Sequence, residues 1–360
     1  MKTPSDDPLF SLHHKTRPII VIGAGGIVKD AHLPAYRLAG FNVAGIYDIN
    51  VARAKDLAEK FSLPEVYYDE PQMLANAPSN AVFDLAVPGH AILDVLQKLP
   101  DHSAVLIQKP MGENYEQAKQ ILKVARDKNM IAGVNFQLRY APFIRVAREL
   151  IRKGLLGELW DIEVNVNVYT PWELWDFLFG ARRVEILYHS IHYIDLIRSF
   201  LGNPLGLYAK TRKHPHKQKL ASVRSNIIMD YGDITGANIS TNHCHNFGIH
   251  NQQSYIKFEG TKGAIKIQVG LLLNYPVGLP DKFEYVLNEE GKEPEWKTME
   301  IDGSWFPHAF IGPMSEIMKA ADGSISSPDN SVEDCIFTMA CVEAAYESSK
   351  NGERTEFIKG

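Results

Sequence analysis

The segment Ile19-Ile20-Val21-Ile22-Gly23-Ala24-Gly25-Gly26-Ile27-Val28 decides the fold of the N-terminal part of the chain. Its first four residues form a continuous apolar run, which is typical of a parallel strand covered on both faces. The glycines that follow allow a tight turn close to a pyrophosphate, and a helix-compatible stretch comes next. Val28 stands where the usual pattern has glycine or alanine. The order of strand, turn and helix predicts dinucleotide binding at Gly23, Gly25, Gly26 and Ile27.

An acidic residue supports this prediction and bears on the choice of cofactor. Asp48 closes the second predicted strand, 25 residues after Gly23. A carboxylate at this place can accept hydrogen bonds from the ribose diol of adenosine, and it would repel a 2′-phosphate. We therefore expect NAD as the cofactor. NADP stays possible because the side chain of Arg53 could offset the charge of Asp48.

The two parts of the chain differ in their hydrophobic period. Up to residue 136, short apolar runs alternate with amphipathic stretches, which indicates βαβ units and a parallel sheet. Later segments, such as residues 161–169, alternate between apolar and polar positions, as antiparallel strands with one solvated face do. The predicted fold class is α/β. A Rossmann domain would span residues 1–136, and an α+β domain with a mostly antiparallel sheet would span residues 137–360.

Composition and charge exclude several classes of function. The 360 residues carry 38 Lys and Arg against 43 Asp and Glu, a formal net charge of −5. This balance gives no support to nucleic-acid binding or to polybasic membrane attachment. The three cysteines cannot form a disulfide framework, and no apolar run reaches the length that a bilayer requires. We therefore expect a soluble, cytoplasmic protein; composition alone does not indicate its chemistry.

A lysine follows the fifth predicted strand. The run Val105-Leu106-Ile107-Gln108 leads directly into Lys109 and Pro110. Ligands of open α/β sheets bind beyond the carboxyl ends of the strands, so Lys109 is expected near the nicotinamide end of the cofactor. The bond before Pro110 is a candidate for the cis form, since X–Pro bonds adopt it at small cost. Taken alone, a lysine at a strand end is more often a solvated surface residue.

Several motifs in one order resemble the glucose–fructose oxidoreductase / inositol 2-dehydrogenase / rhizopine-catabolism (Gfo/Idh/MocA) family. The resemblance runs from about residue 18 to the C-terminal helix. It implies a Rossmann domain, NAD(P)-dependent oxidation of sugars or polyols, and a C-terminal domain whose large, open sheet builds homodimers or homotetramers. The motifs are Gly23-Ala24-Gly25-Gly26, Asp48, Ala86-Val87-Pro88, Gln108-Lys109-Pro110, Phe136-Gln137-Leu138-Arg139-Tyr140-Ala141-Pro142, His192-Tyr193-Ile194-Asp195 and Phe258-Glu259-Gly260-Thr261-Lys262-Gly263-Ala264-Ile265.

The resemblance also implies roles for single residues. The family's Glu-Lys-Pro motif falls on Gln108-Lys109-Pro110, so Lys109 would reach both the substrate hydroxyl and nicotinamide. The family's catalytic histidine precedes an aspartate by three residues, which places it at His192, where an imidazole can act as general base. Many members carry an aspartate four residues before that histidine, but this chain has Tyr188. A second hypothesis therefore gives Tyr188 part or all of the acid–base role.

The segment around His192 has helical periodicity over about residues 184–201. Glu185, Tyr188, His189 and His192 recur at three- and four-residue steps, which predicts that they share one face. Glu185, His189 and His192 have a spacing that could hold a metal ion. We expect no metal, and we expect His189 to bind substrate or line the helix face.

A second group of histidines raises the same question. His243, Cys244 and His245 are consecutive, with His250 close behind. On a strand, His243 and His245 point to one side and Cys244 to the other, so a single metal site is not favoured. A place on the sheet face or at an interface is the preferred interpretation.

The remaining candidates follow from their positions in the chain. Trp172 and Trp175 could stack on the C–H faces of a sugar, and Arg182 and Arg183 could bind a carboxylate or phosphate of the substrate. Gln137 is expected to contact substrate. Residues close to predicted strand ends are expected to contact the cofactor: Ala86, Val87, Pro88, His90, Asn135 and Arg139.

The sequence therefore predicts an NAD(P)-dependent dehydrogenase that acts on a sugar, a polyol or a sugar acid. One alternative is an enzyme that holds NAD tightly and uses transient oxidation for epimerisation, internal redox transfer or glycoside cleavage. Another is a non-enzymatic nucleotide-sensing protein. Only the departures at Tyr188 and Gln108 support the sensing protein.

Overall fold

A computed structural model describes residues 17–352 and 355–356. The described chain forms two compact units. The first comprises the described residues of Met1–Tyr140 together with Phe306–Met339, and the second comprises Ala141–Trp305 and those of Ala340–Gly360. The division at residue 136 remains a prediction.

The first unit is built on a six-stranded sheet in the order β3-β2-β1-β4-β5-β6. All neighbouring strands are parallel, which confirms the predicted Rossmann-type sheet. The residues of β1, β4 and β5 are buried throughout, as expected for strands covered on both faces. The strands are β1 (Ile19–Ile22), β2 (Val43–Tyr47), β3 (Val66–Tyr67), β4 (Val82–Leu85), β5 (Ala104–Ile107) and β6 (Ile131–Val134).

The second unit contains a nine-stranded sheet in the order β14-β13-β12-β11-β7-β10-β9-β8-β15. Only β7 and β10 run parallel within it, so the predicted mostly antiparallel sheet is confirmed. Along β7, buried apolar residues alternate with half-buried polar ones. The strands are β7 (Leu159–Asn167), β8 (Gly206–Arg212), β9 (Arg224–Asp230), β10 (Gly236–Asn242), β11 (Gln253–Gly260), β12 (Gly263–Gln268), β13 (Lys282–Leu287), β14 (Lys297–Met299) and β15 (Thr355–Glu356).

The α-helices of the described chain begin at identifiable caps in several cases. The Asn50 side chain accepts a hydrogen bond from the Arg53 N–H, and the Asn114 side chain accepts one from the Gln117 N–H. The helices are α1 (Leu33–Leu38), α2 (Val51–Phe61), α3 (Glu70–Asn76), α4 (Ile92–Lys98), α5 (Tyr115–Asp127), α6 (Pro142–Arg152), α7 (Ile191–Leu201), α8 (Ile311–Ala321) and α9 (Val332–Asn351). Among the described residues, no helix has the length and apolarity needed to cross a bilayer.

Two helices begin with a π-helical turn, and both carry residues that matter below. Val28–His32 is π-helical and leads into α1, and Ile186–Ser190 is π-helical and leads into α7. The first packs its apolar side on β1 and β4, together with residues of α8. Such turns shift the rotation of a helix relative to the 3.6-residue period, and they are frequent at functional sites.

Candidate functional site

The glycine turn after β1 has the geometry that a dinucleotide site needs. Gly23 has a φ of +111°, which L side chains rarely adopt, and a Cβ there would lie 2.4 Å from the carbonyl oxygen of Ala86. A Cβ on Gly25 would meet no atom within 4 Å. The turn therefore packs tightly against the end of β4 on one side and leaves open space on the other. This space fits a pyrophosphate close to the backbone.

Asp48 follows β2 and is fixed by two backbone groups. One carboxylate oxygen accepts from the Ala24 N–H at 2.6 Å, and the other accepts from the Asn50 N–H at 2.7 Å. The bond to Ala24 ties the carboxylate to the glycine turn. Each oxygen keeps a free lone pair for a ribose hydroxyl, because a carboxylate offers about four acceptor sites. The glycine turn therefore fits the phosphates of the cofactor, and the acceptor oxygens of Asp48 fit the hydroxyls of its adenosine ribose.

The other predicted cofactor contacts differ in exposure. Ala86 and Val87, directly after β4, are half-buried, and Pro88 is exposed. His90 is exposed on the short turn Gly89–Ala91, and Ile27 packs against the apolar core of the first unit. These roles remain predictions.

Lys109 follows β5, and its peptide bond to Pro110 is cis, as the sequence allowed. The side chain is half-buried, and desolvation lowers its pKa from the usual 10.5 to about 8. Gln108 is buried, and its side-chain oxygen accepts from the Lys109 N–H at 3.0 Å. Gln108 therefore helps to fix the backbone that carries the lysine. An amine with this pKa can hold or release a proton near neutral pH.

Three predicted contacts after β6 are buried. Asn135 and Gln137 are almost fully enclosed. The guanidinium of Arg139 donates to the Asp334 carboxylate at 2.6 Å and to the backbone oxygen of Asp329 at 2.8 Å. These contacts give Arg139 a structural role inside the first unit. Its contact with the cofactor stays a prediction.

In the second unit, the predicted helix around His192 forms as the π-helical turn followed by α7. Glu185 precedes this turn, and its carboxylate accepts from the Ser190 hydroxyl at 2.8 Å. The two residues are five apart, which matches the i to i+5 spacing of a π-helix. The Glu185 N–H donates to the Ser222 hydroxyl at 3.1 Å.

The π-helical turn gives the predicted site residues different neighbours. The Tyr188 ring meets the ring of Phe177 with 5.6 Å between centroids. The His192 ring is buried and stands at 90° to the Trp305 ring, 5.4 Å away. The His189 ring instead contacts the rings of Trp172 and His243, at 5.0 and 4.5 Å. A uniform 3.6-residue period does not anticipate this distribution.

A buried acid–histidine pair lies beside His189. Glu185 is fully buried, and one of its carboxylate oxygens is 3.4 Å from Nε2 of His243. Nδ1 of His243 is 2.9 Å from the Thr170 hydroxyl. Burial raises the pKa of Glu185, but His243 and the hydroxyls of Ser225 and Ser190 outweigh it, and the pKa is lowered. The sequence patterns did not predict this pair, although a glutamate within Val184-Glu185-Ile186-Leu187 was a signal.

The aromatic and basic candidates of the second unit occupy unlike surroundings. Trp172 is fully buried in a small apolar cluster, whereas Trp175 is half-buried with its ring 5.8 Å from that of Tyr275. Arg183 donates two hydrogen bonds to the Glu343 carboxylate, at 2.7 and 2.5 Å. Arg182 is exposed. The guanidinium fork of Arg183 is therefore already engaged, and a substrate acid there would have to compete with Glu343.

Comparison with known proteins shows which family of oxidoreductases the chain matches. The family model of the oxidoreductases with an NAD-binding Rossmann fold matches residues 18–136, and the model of their C-terminal alpha/beta domain matches residues 148–357. An inositol 2-dehydrogenase of Pseudarthrobacter chlorophenolicus is 26% identical, covering 94% of this chain and 96% of its own. A D-apiose dehydrogenase of Rhizobium rhizogenes is 22% identical, covering 88% of this chain and 90% of its own.

Solved structures show the same fold. A levoglucosan dehydrogenase in complex with NADH and levoglucosan has a TM-score of 0.80 at 17% identity, covering 96% of this chain and all of its own. An oxidoreductase of Agrobacterium radiobacter, in complex with NAD+, L-tartaric acid and magnesium, has a TM-score of 0.77 at 19% identity, covering 95% and 99%. The family models together cover most of the chain. This protein therefore belongs to the Gfo/Idh/MocA oxidoreductase family and binds NAD, or NADP, in its N-terminal domain.

Proposed function

We propose that this protein is an NAD(P)-dependent dehydrogenase of a CH–OH group in a sugar, a polyol or a sugar acid. The observation that carries the proposal is Lys109: a half-buried lysine, directly beyond the carboxyl end of β5, whose pKa burial lowers to about 8. The relatives that are named inositol 2-dehydrogenase and D-apiose dehydrogenase support a polyhydroxylated substrate.

Lys109 would orient the reacting hydroxyl. When bound, NAD accepts the hydride that leaves the carbinol carbon. At pH 7 an amine with a pKa of about 8 is still mainly protonated. Its N–H groups can donate to the hydroxyl oxygen and stabilise the negative charge that develops there. Partial burial strengthens this interaction because less water competes for the oxygen.

His192 would accept the hydroxyl proton. The ring is held by edge-to-face packing against Trp305 and is only 7% exposed, so its orientation is restricted. A restricted imidazole is suited to general-base catalysis, which depends first on geometry. Tyr188 remains the second candidate for this role. Its half-buried ring is packed against Phe177.

The residues proposed to bind the substrate are aromatic and polar groups of the second unit. Trp175 and Tyr275 present a half-buried pair of rings, and such rings stack on the C–H faces of sugars. His189 and Arg182 add polar groups that remain candidate contacts to hydroxyl or acid groups. Trp172 is fully buried, which favours a supporting role behind His189.

We also propose that the protein is a cytoplasmic homodimer or homotetramer that pairs through its C-terminal sheet. Tyr208 and Ile228 are 46% and 56% exposed, and both lie on strands of that sheet. Tyr208 and Ile228 are direct cross-strand neighbours. Large apolar groups next to each other on an open sheet are suited to burial against a second copy.

A spectrophotometric screen tests the activity. Purified protein is incubated with NAD or NADP and a panel of sugars, polyols and sugar acids, next to Lys109→Ala. We expect continuous NADH formation with at least one compound for the wild type, and loss of that formation in the variant. If NAD binds but no compound in the panel gives NADH, the dehydrogenase proposal is wrong. Cofactor that co-purifies and is not consumed during turnover of a sugar would instead favour the epimerase or internal-transfer alternative.

A further inference from the structure

Four buried polar side chains form one network inside the first unit. Asp84 is the third residue of β4, and one of its carboxylate oxygens accepts from the Tyr36 hydroxyl at 2.8 Å. The same oxygen lies 2.7 Å from Nδ1 of His32, at the end of the first π-helical turn. Nε2 of His32 lies 3.3 Å from Nδ2 of Asn135, which directly follows β6. None of the four side chains is exposed.

The chemistry of these groups fixes the direction of the hydrogen bonds. A carboxylate can only accept, so the proton of the His32 ring lies on Nδ1. In the neutral imidazole the second ring nitrogen accepts, so Nε2 pairs with the amide nitrogen of Asn135. Asp84 and His32 therefore determine which way the Asn135 amide faces. Its nitrogen is turned towards the imidazole, and Oδ1 is left as the buried acceptor on the other side of the amide.

This acceptor has no partner in the described part of the chain. Oδ1 of Asn135 is buried and accepts no hydrogen bond there. A buried carbonyl without a donor is unfavourable, so an unpartnered one calls for a ligand or water. The backbone places it at the cofactor end of the sheet, because the Asn135 N–H donates to the carbonyl of Ile107 at 2.7 Å. Ile107 is the last residue of β5, two residues before Lys109.

We propose that Asp84 and His32 are positioning residues that hold Asn135 so that its Oδ1 accepts a hydrogen bond from the carboxamide NH2 of nicotinamide. The inference rests on the proposed function only in placing nicotinamide beyond β5 and β6. It does not depend on the substrate or on His192. Tyr36 bonds to Asp84 but not to Asn135, so it supports the carboxylate without setting the amide.

Binding measurements with three ligands test this positioning role. 3-Acetylpyridine adenine dinucleotide carries a methyl ketone in place of the carboxamide and so lacks the NH2 donor. ADP-ribose lacks nicotinamide entirely. By titration calorimetry on the full chain, we expect the wild type to bind NAD about 5- to 10-fold more tightly than the acetylpyridine analogue, as for one hydrogen bond. Asn135→Leu and His32→Phe should reduce this ratio to about 1 and leave the Kd of ADP-ribose unchanged.

Matched variants separate positioning from general damage to the fold. Tyr36→Phe removes the other hydrogen bond to Asp84 and should keep the wild-type ratio. His32→Gln offers an oxygen to the Asn135 amide and should restore part of the ratio lost in His32→Phe. A wild-type ratio near 1, or an unchanged ratio in His32→Phe or Asn135→Leu, would overturn the proposal. Failure of the wild type to bind ADP-ribose would instead contradict the cofactor site itself.

Discussion

The two units of this protein place their candidate site residues in different ways. In the first unit, Asp48, Lys109 and Asn135 each lie just beyond the carboxyl end of a parallel strand. In the second unit, Tyr188, His189 and His192 lie on a π-helical turn and the start of α7, and Glu185 and His243 pack behind them. The placement of a residue at a strand end can be predicted from the neighbouring sequence alone. A π-helical turn depends on partners that are distant in the chain.

The largest expected effect concerns a strand-end residue. Lys109→Met should lower kcat by about 10²- to 10⁴-fold, because the transition state loses its hydrogen-bond donor. The Kd of ADP-ribose should not change. The variant should also be more stable at pH 7, by about 1–2 kcal/mol, because the wild type keeps a partly buried cation there. Thermal unfolding checks the stability, and an unchanged kcat would remove Lys109 from the mechanism.

The next largest effect is a loss of stability when Glu185, which bonds across the π-helical turn, is replaced. Glu185→Ala should lower the free energy of unfolding by about 3 kcal/mol, because it leaves His243 and the Ser190 hydroxyl buried without the carboxylate. Glu185→Gln keeps an acceptor for the Ser190 hydroxyl, so its free energy of unfolding should fall by less. Urea unfolding measures both variants. Equal losses would show that the hydrogen bond across the turn contributes nothing beyond the charge of Glu185.

The adjacent arginines give a matched pair within the second unit. Arg183→Gln should lower the free energy of unfolding by about 2 kcal/mol, because it breaks the paired contact with Glu343. Arg182→Gln should change it by less than about 0.5 kcal/mol, since the side chain is exposed. Arg182→Gln should raise KM only for acidic sugars, if such sugars are substrates. A rise in KM for Arg183→Gln without loss of stability would favour substrate binding at Arg183.

A substitution of Asp48 tests whether one residue at a strand end sets the preference between NAD and NADP. Asp48→Ser should shift the ratio of kcat/KM for NADP over NAD upwards by about tenfold, because the carboxylate no longer repels the 2′-phosphate. Steady-state kinetics with both cofactors measures the shift. A wild type that already prefers NADP would show that Arg53 or another cation outweighs Asp48.

The smallest effect is the pH dependence of Lys109. Its pKa is lowered to about 8. The protonated donor is therefore lost as pH rises, and kcat/KM should fall about threefold between pH 7.5 and 8.5. The free energy of unfolding should instead rise with pH, because the unfolded chain binds more protons than the folded one between pH 8 and 10.5. Lys109→Arg, which stays charged, should lack this fall. A profile flat to pH 10 would contradict a protonated Lys109 as the donor.

The sequence was most informative where function follows from a local pattern. The apolar run, the glycine turn and the acid 25 residues on predicted a parallel sheet that binds a dinucleotide, and the family comparison confirms the Rossmann fold and NAD binding. The alternating segments likewise predicted the antiparallel sheet. Neither the pairing of Glu185 with His243 nor the network of Asp84 and His32 could be predicted. Each joins residues that are far apart in the chain, on separate helices and strands.

The amino-acid sequence by itself therefore determined the fold class, the cofactor class and the strand ends that carry Asp48 and Lys109, because short-range periodicity and turn chemistry act between near neighbours. Only the tertiary structure decided which polar groups are buried and with whom they pair. It gave Arg183 a carboxylate partner, enclosed Trp172, and divided the neighbours of Tyr188, His189 and His192 among separate contacts. Burial and pairing are set by packing between segments that are remote in the chain.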